Sequence, residues 1–101
     1  MLIRRYNFEM VVCQNRVYVM GGQNKGDVDQ GTPLSTKANC EVFDLDTKQW
    51  EVLPNMQHSR SESHSYVWKD EVYVAGGYKE GGRNHTFERY DRNSNTWVYH
   101  N

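Results

Sequence analysis

The chain has little of what secreted, membrane-spanning or nucleic-acid-binding proteins need. It has only two cysteines, Cys13 and Cys40, and the corresponding positions in the second half of the chain are Trp68 and Phe87, so a disulfide framework is not expected. Two buried thiols in a reducing compartment fit better. No apolar run approaches the roughly 18 residues of a transmembrane helix, and the first residues lack an apolar segment of signal-peptide length. The formal net charge of −1 gives no broad attraction to nucleic acid or to anionic lipid. We therefore expect a cytoplasmic chain that binds neither nucleic acid nor membrane.

Signatures of catalysis, metal binding and cofactor binding are also missing. The four histidines are dispersed without a short i, i+2 or i, i+4 pair, whereas a zinc or copper site needs converging ligands. The glycines of residues 76–82 lack the spacing of a phosphate-binding loop. No serine elbow or paired carboxylates are present. The sequence predicts no catalytic residue, no metal and no cofactor.

What the sequence does contain is a repeated strand ending in two glycines. Residues 17–22 read Val-Tyr-Val-Met-Gly-Gly, and residues 72–77 read Val-Tyr-Val-Ala-Gly-Gly. Valine and tyrosine favour a half-buried strand. The glycine pair allows positive φ angles or a close backbone approach, so the chain can leave the sheet abruptly. Two copies at an offset of 55 residues indicate an internal repeat.

The repeat extends along nearly the whole chain. Arg5 and Arg60 share the offset of 55, whereas Trp50 and Trp97 are 47 residues apart. The sequence Glu-Val-Phe-Asp at 41–44 likewise corresponds to Glu-Arg-Tyr-Asp at 88–91. The first copy therefore has eight extra residues between its glycines and its next strand, as expected of a surface loop. The boundaries follow as 1–54 for the first repeat and 55–101 for the second.

The length of the repeat and its motifs resemble the kelch family. A period near 50, with Gly-Gly after a strand and an aromatic-Asp followed by Trp, is typical of kelch repeats. The matching residues are Arg5, Gly21, Gly22, Phe43, Asp44 and Trp50, then Arg60, Gly76, Gly77, Tyr90, Asp91 and Trp97. Phe43 departs from the tyrosine usual in the family. The resemblance implies an all-β fold in which each repeat is one four-stranded antiparallel blade of a β-propeller.

Two blades make only part of a propeller. Propellers close with about four to eight blades, so two apolar faces remain exposed. We expect the following side chains to line them: Val19, Phe43, Trp50, Val74, Tyr90 and Trp97. The faces would be covered by further blades of a longer parent chain, by copies of the same chain (three chains giving six blades), or by a partner protein.

The residues that define the repeat are interpreted as structural. Arg5 and Arg60 are expected to bond backbone or carboxylate groups across the blade junction, since guanidinium has five fixed donors. Trp50 and Trp97 are expected to pack between blades against the glycine region of the next blade. The glycines assigned to the same structural role are Gly21, Gly22, Gly76 and Gly77.

The loops at one rim are the candidates for function. Kelch domains bind protein partners at the rim where the connection after the Gly-Gly strand and the connection between blades emerge together. The bound segments are often short acidic or degron-like peptides. Tyrosine, arginine, asparagine and serine suit such a polar recognition surface. The candidate partner-binding residues are Tyr6, Asn7, Gln23, Lys25, Ser61, Glu62, Tyr78, Lys79 and Arg83.

The resemblance implies a protein-interaction module and no enzyme. In many relatives the propeller is joined to BTB and BACK domains that recruit a cullin ubiquitin ligase, so a substrate-recognition adaptor is the leading hypothesis. An actin-binding scaffold belongs to the same class. A self-assembling propeller fragment with no native ligand is the structural alternative. Some kelch propellers act on sugars, either with copper or as mutarotases, and this is the enzymatic alternative.

Overall fold

The computed structural model describes residues 1, 5–24, 35–79 and 82–100, and every regular element in these ranges is a strand. The first repeat contains β1 (Glu9–Cys13), β2 (Arg16–Met20), β3 (Gln23–Asn24), β4 (Ser35–Thr36), β5 (Cys40–Asp44) and β6 (Gln49–Leu53). The second contains β7 (His64–Trp68), β8 (Glu71–Ala75), β9 (Tyr78–Lys79), β10 (Gly82–Arg83), β11 (Phe87–Asp91) and β12 (Thr96–His100). No helix in these ranges is long and apolar enough to cross a membrane.

Each repeat folds as one four-stranded antiparallel blade. The strand order is β1-β2-β5-β6 in the first sheet and β7-β8-β11-β12 in the second. Two-residue turns join the first two strands of each blade, and all four turn residues have positive φ: Gln14, Asn15, Lys69 and Asp70. Such turns match the right-handed twist of a hairpin, and asparagine and aspartate tolerate the left-handed conformation. The all-β prediction is confirmed.

Two short ribbons occur where the sequence predicted only loops. β3 pairs with β4 after the first glycine pair, and β9 pairs with β10 after the second. Strands of two residues show no alternation of polar and apolar side chains, so the sequence pattern cannot identify them. The centre of the longer loop, residues 25–34, lies outside the described residues.

The apolar core lies between the two sheets. Tyr18, Met20 and Val42 of the first blade and Val72 and Val74 of the second are at most 3% exposed and belong to one buried cluster. The rings of Tyr18 and Tyr90 lie 5.8 Å apart within it. The innermost strands, β1 and β7, also contact each other. The two blades therefore pack face to face as consecutive blades do.

The prediction of which side chains line the exposed faces of the two blades is only partly correct. Four of the side chains assigned to exposed faces are buried instead: Val19, Val74, Tyr90 and Trp97. The last three lie in the cluster between the blades. Because alternate residues of a strand point to opposite faces, the open face of blade 2 carries the neighbouring positions instead. Its exposed side chains include Tyr66 and Trp68, at 45% and 57% exposure.

The two cysteines are free thiols in different environments. Both are buried, and Cys40 is completely inaccessible. Burial away from water raises the pKa of Cys40 to about 12, and burial also raises the pKa of Cys13. The Cys13 Sγ donates to the carbonyl oxygen of Asp70 at 3.4 Å and borders a cleft between the blades.

We expect alkylation of the folded chain to distinguish these two thiols. With iodoacetamide at pH 8, Cys40 should remain unmodified while Cys13 reacts slowly, because only the thiolate is nucleophilic. Peptide mass spectrometry over time measures both sites, and the urea-unfolded chain, in which both should react fully, is the control. Equal rates in the folded chain would contradict the difference in burial.

Candidate functional site

The second arginine of the repeat, Arg60, fixes the segment that leads into blade 2. Its side chain and that of Glu88 are both fully buried, with Arg60 Nη2 2.9 Å from Glu88 Oε2. The guanidinium also donates to the carbonyl oxygens of Thr86 and Gly76, at 2.8 and 3.1 Å. A buried charge paired and hydrogen-bonded in this way is satisfied in a low-dielectric interior.

Arg5 repeats this arrangement in blade 1. It contacts Glu41 at 2.7 Å and donates to the carbonyl oxygens of Gly21 and Asn39, at 2.8 Å each. The sequence predicted that these side chains would bond across the blade junction, but both bond groups of their own repeat. The segment before each blade folds onto that blade's central strands and so places the guanidinium there.

The backbone of Arg60, rather than its side chain, crosses the junction. Its carbonyl oxygen accepts from the Gly22 N–H at 2.6 Å, and its N–H donates to the Lys37 carbonyl oxygen at 3.0 Å. Gly21 has a φ of +64°, and a Cβ there would overlap the Arg60 carbonyl oxygen. Glycine is therefore required both by conformation and by space.

The two tryptophans occupy unequal positions. Trp97 is 3% exposed, and its Nε1–H donates to the Pro54 carbonyl oxygen at 3.0 Å. This contact is with the end of the preceding blade, whereas the sequence predicted the glycine region of the next one. Trp50 is partly exposed and packs on Phe43, with ring centroids 5.0 Å apart. Its position corresponds to that of Trp97, but on the open face of blade 1.

The predicted partner-binding residues lie along one end of the two sheets, which we call the glycine rim: Tyr6, Asn7, Gln23, Ser61, Glu62, Tyr78, Lys79 and Arg83. Backbone bridges join Tyr6 to Gln23 and Ser61 to Tyr78. The segment that leads into each blade, residues 5–8 for blade 1 and 60–63 for blade 2, is called its lead-in. Each lead-in therefore lies beside the strand that follows the glycines. The Glu62 N–H donates to the Asn7 carbonyl oxygen at 3.0 Å, which connects the rims of the two blades. The rim is therefore one continuous edge.

Most side chains of the glycine rim are accessible. Tyr6 and Tyr78 are 37% and 43% exposed, and the Arg83 guanidinium lies 6.0 Å from the Tyr78 ring centroid. Glu62 and Lys79 are also exposed. The exception is Ser61, which is 2% exposed because the bridge to Tyr78 holds it inside, so its side chain is not part of the surface. Lys25 lies outside the described residues.

A small depression lies at the blade 2 end of this rim. It has a volume of about 220 Å³ and is lined by Glu62, His64, Gly77, Tyr78, Arg83, Asn84 and His85. Its walls thus combine one carboxylate with a guanidinium and two imidazoles. Among the residues that the structure describes, no group of three or more His, Cys, Asp or Glu side chains is placed to hold a metal ion.

A larger cleft opens at the opposite end of the sheets, between the blades. It has a volume of about 750 Å³, and its walls include Cys13, Tyr18, Tyr90 and Arg92. Arg92 donates to the Gln14 side-chain oxygen at 3.2 Å across the junction. The sequence analysis missed this cleft because its walls come from turns of both repeats, which no local motif brings together.

Comparison with known proteins gives a family and a fold. A family model described as the Kelch motif matches residues 4–57 and 60–99. Human Kelch-like protein 25 is 30% identical over 86 residues, which cover 85% of this chain and 13% of the relative. Alpha-scruin of Limulus polyphemus is 31% identical over 86 residues, covering 84% and 9%.

One solved structure extends the likeness to three dimensions. The structure of YjhT matches with a TM-score of 0.79 at 15% identity, covering 95% of this chain and 37% of that one. The described strands thus follow a known propeller fold. The chain spans about an eighth or less of the two relatives it matches and just over a third of the structural neighbour.

Proposed function

The chain belongs to the kelch-motif family, and from this premise we propose that it binds a partner protein or peptide through the glycine rim and catalyses no reaction. The observation that carries the proposal is the continuity of the rim, which the Glu62–Asn7 backbone bond extends over both blades. Exposed tyrosine rings beside a guanidinium are groups enriched among the residues that dominate protein–protein recognition. Kelch relatives support a protein-interaction role.

We expect the rim side chains to control affinity for a peptide. Peptides selected from a displayed random library against the whole chain provide the probe, and fluorescence polarisation measures their dissociation constants. Tyr78→Ala and Arg83→Ala should each weaken binding by about tenfold or more, since truncating a recognition hot spot costs about 1–2 kcal/mol or more.

The matched control for this experiment is Arg92→Ala, an exposed arginine at the opposite end of blade 2. It should leave peptide affinity within about twofold. If Arg92→Ala weakens binding while the rim variants do not, the inter-blade cleft is the binding site and the rim proposal is wrong. If no library peptide binds, the peptide-recognition proposal is wrong.

We also propose that the parent protein acts in the cytoplasm as a substrate-recognition adaptor of a cullin ubiquitin ligase. The resemblance to kelch proteins that carry BTB and BACK domains supports this finer role, and the chain covers 13% of Kelch-like protein 25. Enrichment of cullin subunits with the tagged parent protein tests it. Absence of cullin would refute the adaptor role and leave rim recognition intact. Co-sedimentation of the chain with actin filaments would instead favour a scaffold.

A further inference from the structure

The open face of blade 1 has the same chemistry as the face by which blade 2 packs on blade 1. That packed face presents Val72, Val74, Tyr90 and Trp97 to the core. The corresponding positions of blade 1 are Val17, Val19, Phe43 and Trp50. Val19 is buried at 1% exposure, whereas the other three are partly exposed. Beside them on the same face, Met10, Val12 and Val52 are 60%, 57% and 65% exposed. Blade 1 thus carries a second, largely uncovered version of a face that already forms a blade junction.

The open face of blade 2 is of the complementary kind. Its concavity of about 560 Å³ is lined by Tyr66, Trp68, Tyr73, Phe87, Arg89 and His100. The corresponding positions in blade 1 include Val11, Cys13, Tyr18 and Cys40, which belong to or pack against the buried cluster between the blades. The two-blade unit therefore presents one open face of each kind, one on blade 1 and one on blade 2. Two copies can pack through these faces as the two blades do within one copy.

Backbone groups at the edge of blade 2 indicate the same partner. Within the chain, residues 60–62 of the segment that leads into blade 2 form three backbone bonds to blade 1, through Gly22, Lys37 and Asn7. The corresponding groups on blade 2 are the Gly77 N–H and the carbonyl oxygens of Asn84 and Glu62. In the described part of the chain, none of these three groups has a hydrogen-bond partner. Unpaired edge groups favour the addition of another segment.

The space for that segment is also present. The depression lined by Glu62, Gly77 and Asn84 is where a lead-in would lie, by analogy with Arg60 on blade 1. A Cβ on Gly21 would overlap the Arg60 carbonyl oxygen, whereas the nearest atom to a Cβ on Gly76 is 3.8 Å away. Gly76 thus preserves a backbone approach that no described atom occupies.

We propose that the chain assembles head to tail with copies of itself. Residues 5–7 of one copy enter the depression of the next. The Arg5 carbonyl oxygen accepts from Gly77, the Arg5 N–H donates to the Asn84 carbonyl oxygen, and the Asn7 N–H donates to that of Glu62. The open face of blade 1 then covers the aromatic face of blade 2. The side chain of Arg5 is already held by Glu41 of its own blade, so its backbone is oriented beforehand.

Contacts between unlike faces close into a ring when the rotation per copy fits. Propellers of about four to eight blades correspond to about two to four copies of this chain. The matched solved structure is covered to 37%, so about three copies fill a fold of that size. The proposal does not depend on partner binding at the glycine rim, which a ring would repeat once per copy.

Solution mass is the first test. Light scattering after size exclusion should give a single species of about three times the 11.9 kDa chain mass, which persists on dilution into the low micromolar range. A monomer would show that further blades of a longer chain or another protein normally cover these faces, and it would overturn the proposal. A broad distribution of sizes would also overturn it, because a closed ring has one size.

Two variants that block one face each test the head-to-tail arrangement. Val17→Arg places a charge on the open face of blade 1, and Trp68→Arg places one on the open face of blade 2. Each variant alone should be folded by circular dichroism and monomeric by light scattering, because both positions are accessible in the single chain. Mixed in equal amounts they should form a 1:1 pair, since one unblocked face of each kind remains.

The control is Gln49→Arg, an exposed residue on the same sheet as Val17 but on the opposite side, and it should assemble as the unchanged chain does. Pairing of either blocked variant with itself would show that like faces meet. Full assembly of both variants would show that neither face takes part. Either result refutes head-to-tail contact while leaving peptide binding at the rim untouched.

Discussion

Replacing Arg60 with alanine is expected to lower the free energy of unfolding by about 3–5 kcal/mol, because it leaves Glu88 as a buried carboxylate without its cation. The variant also leaves the carbonyl oxygens of Thr86 and Gly76 without the guanidinium donors. A domain of this size has a total stability of about 5–15 kcal/mol, so the loss is a large fraction of it. Urea unfolding followed by tryptophan fluorescence measures the change, and the Val17→Arg background keeps the chains apart.

The matched control is Arg89→Ala, which removes an arginine from an ion pair that water reaches. Arg89 Nη1 lies 2.7 Å from Glu71 Oε2, but the two side chains are 25% and 43% exposed. Accessible pairs contribute about 0–1 kcal/mol. Similar losses in the two variants would contradict a special role for the buried pair. Arg60→Lys should recover little, since an ammonium group cannot reproduce the guanidinium's donors.

The second large effect is expected at Gly21, and Gly76 supplies its control. Both have nearly the same φ, +64° and +66°, so alanine incurs the same backbone cost of about 1–2 kcal/mol at either position. Only Gly21→Ala also forces a Cβ into the Arg60 carbonyl oxygen. We expect Gly21→Ala to destabilise by about 2 kcal/mol more than Gly76→Ala, since overpacking costs about 1–3 kcal/mol.

The measurement is again urea unfolding, with both glycine variants in the Val17→Arg background so that no second copy covers Gly76. Equal losses would mean that the φ angle alone requires glycine at Gly21. A larger loss at Gly76 would mean that some group fills the open space beside it, which contradicts the description of the blade 2 edge. Replacing the exposed residue Gln49, at the opposite end of the blade 1 sheet from Gly21, with alanine should change stability by less than about 0.5 kcal/mol.

The main strands could be predicted because the local sequence of each contains residues that favour strands. Residues 17–22 and 72–77 combine strand formers with a glycine pair, and the repeat itself fixes the antiparallel order through the family resemblance. The position of the glycine rim follows from the same pattern. The kelch prediction is confirmed by a family model that covers both repeats.

The details that could not be predicted depend on which way a side chain points in three dimensions. Arg60 has the same spacing from the glycines whether its side chain or its backbone crosses the junction. Ser61 is polar and beside an exposed glutamate, yet a backbone bridge buries it. Similarly, the strand pattern of blade 2 gives two faces but does not say which of them meets blade 1. The partner-binding role of the rim residues remains a prediction.

The lead-in through Arg60 has a consequence for cutting or concatenating kelch repeats. The backbone of Arg60 forms hydrogen bonds to blade 1, whereas its side chain forms an ion pair within blade 2. The boundary of the sequence repeat therefore differs from the boundary of the structural unit. A fragment truncated at residue 54 would lose the backbone that covers Gly21 and Gly22. An engineered single-blade building block should therefore extend through residue 62, carrying its successor's lead-in with it.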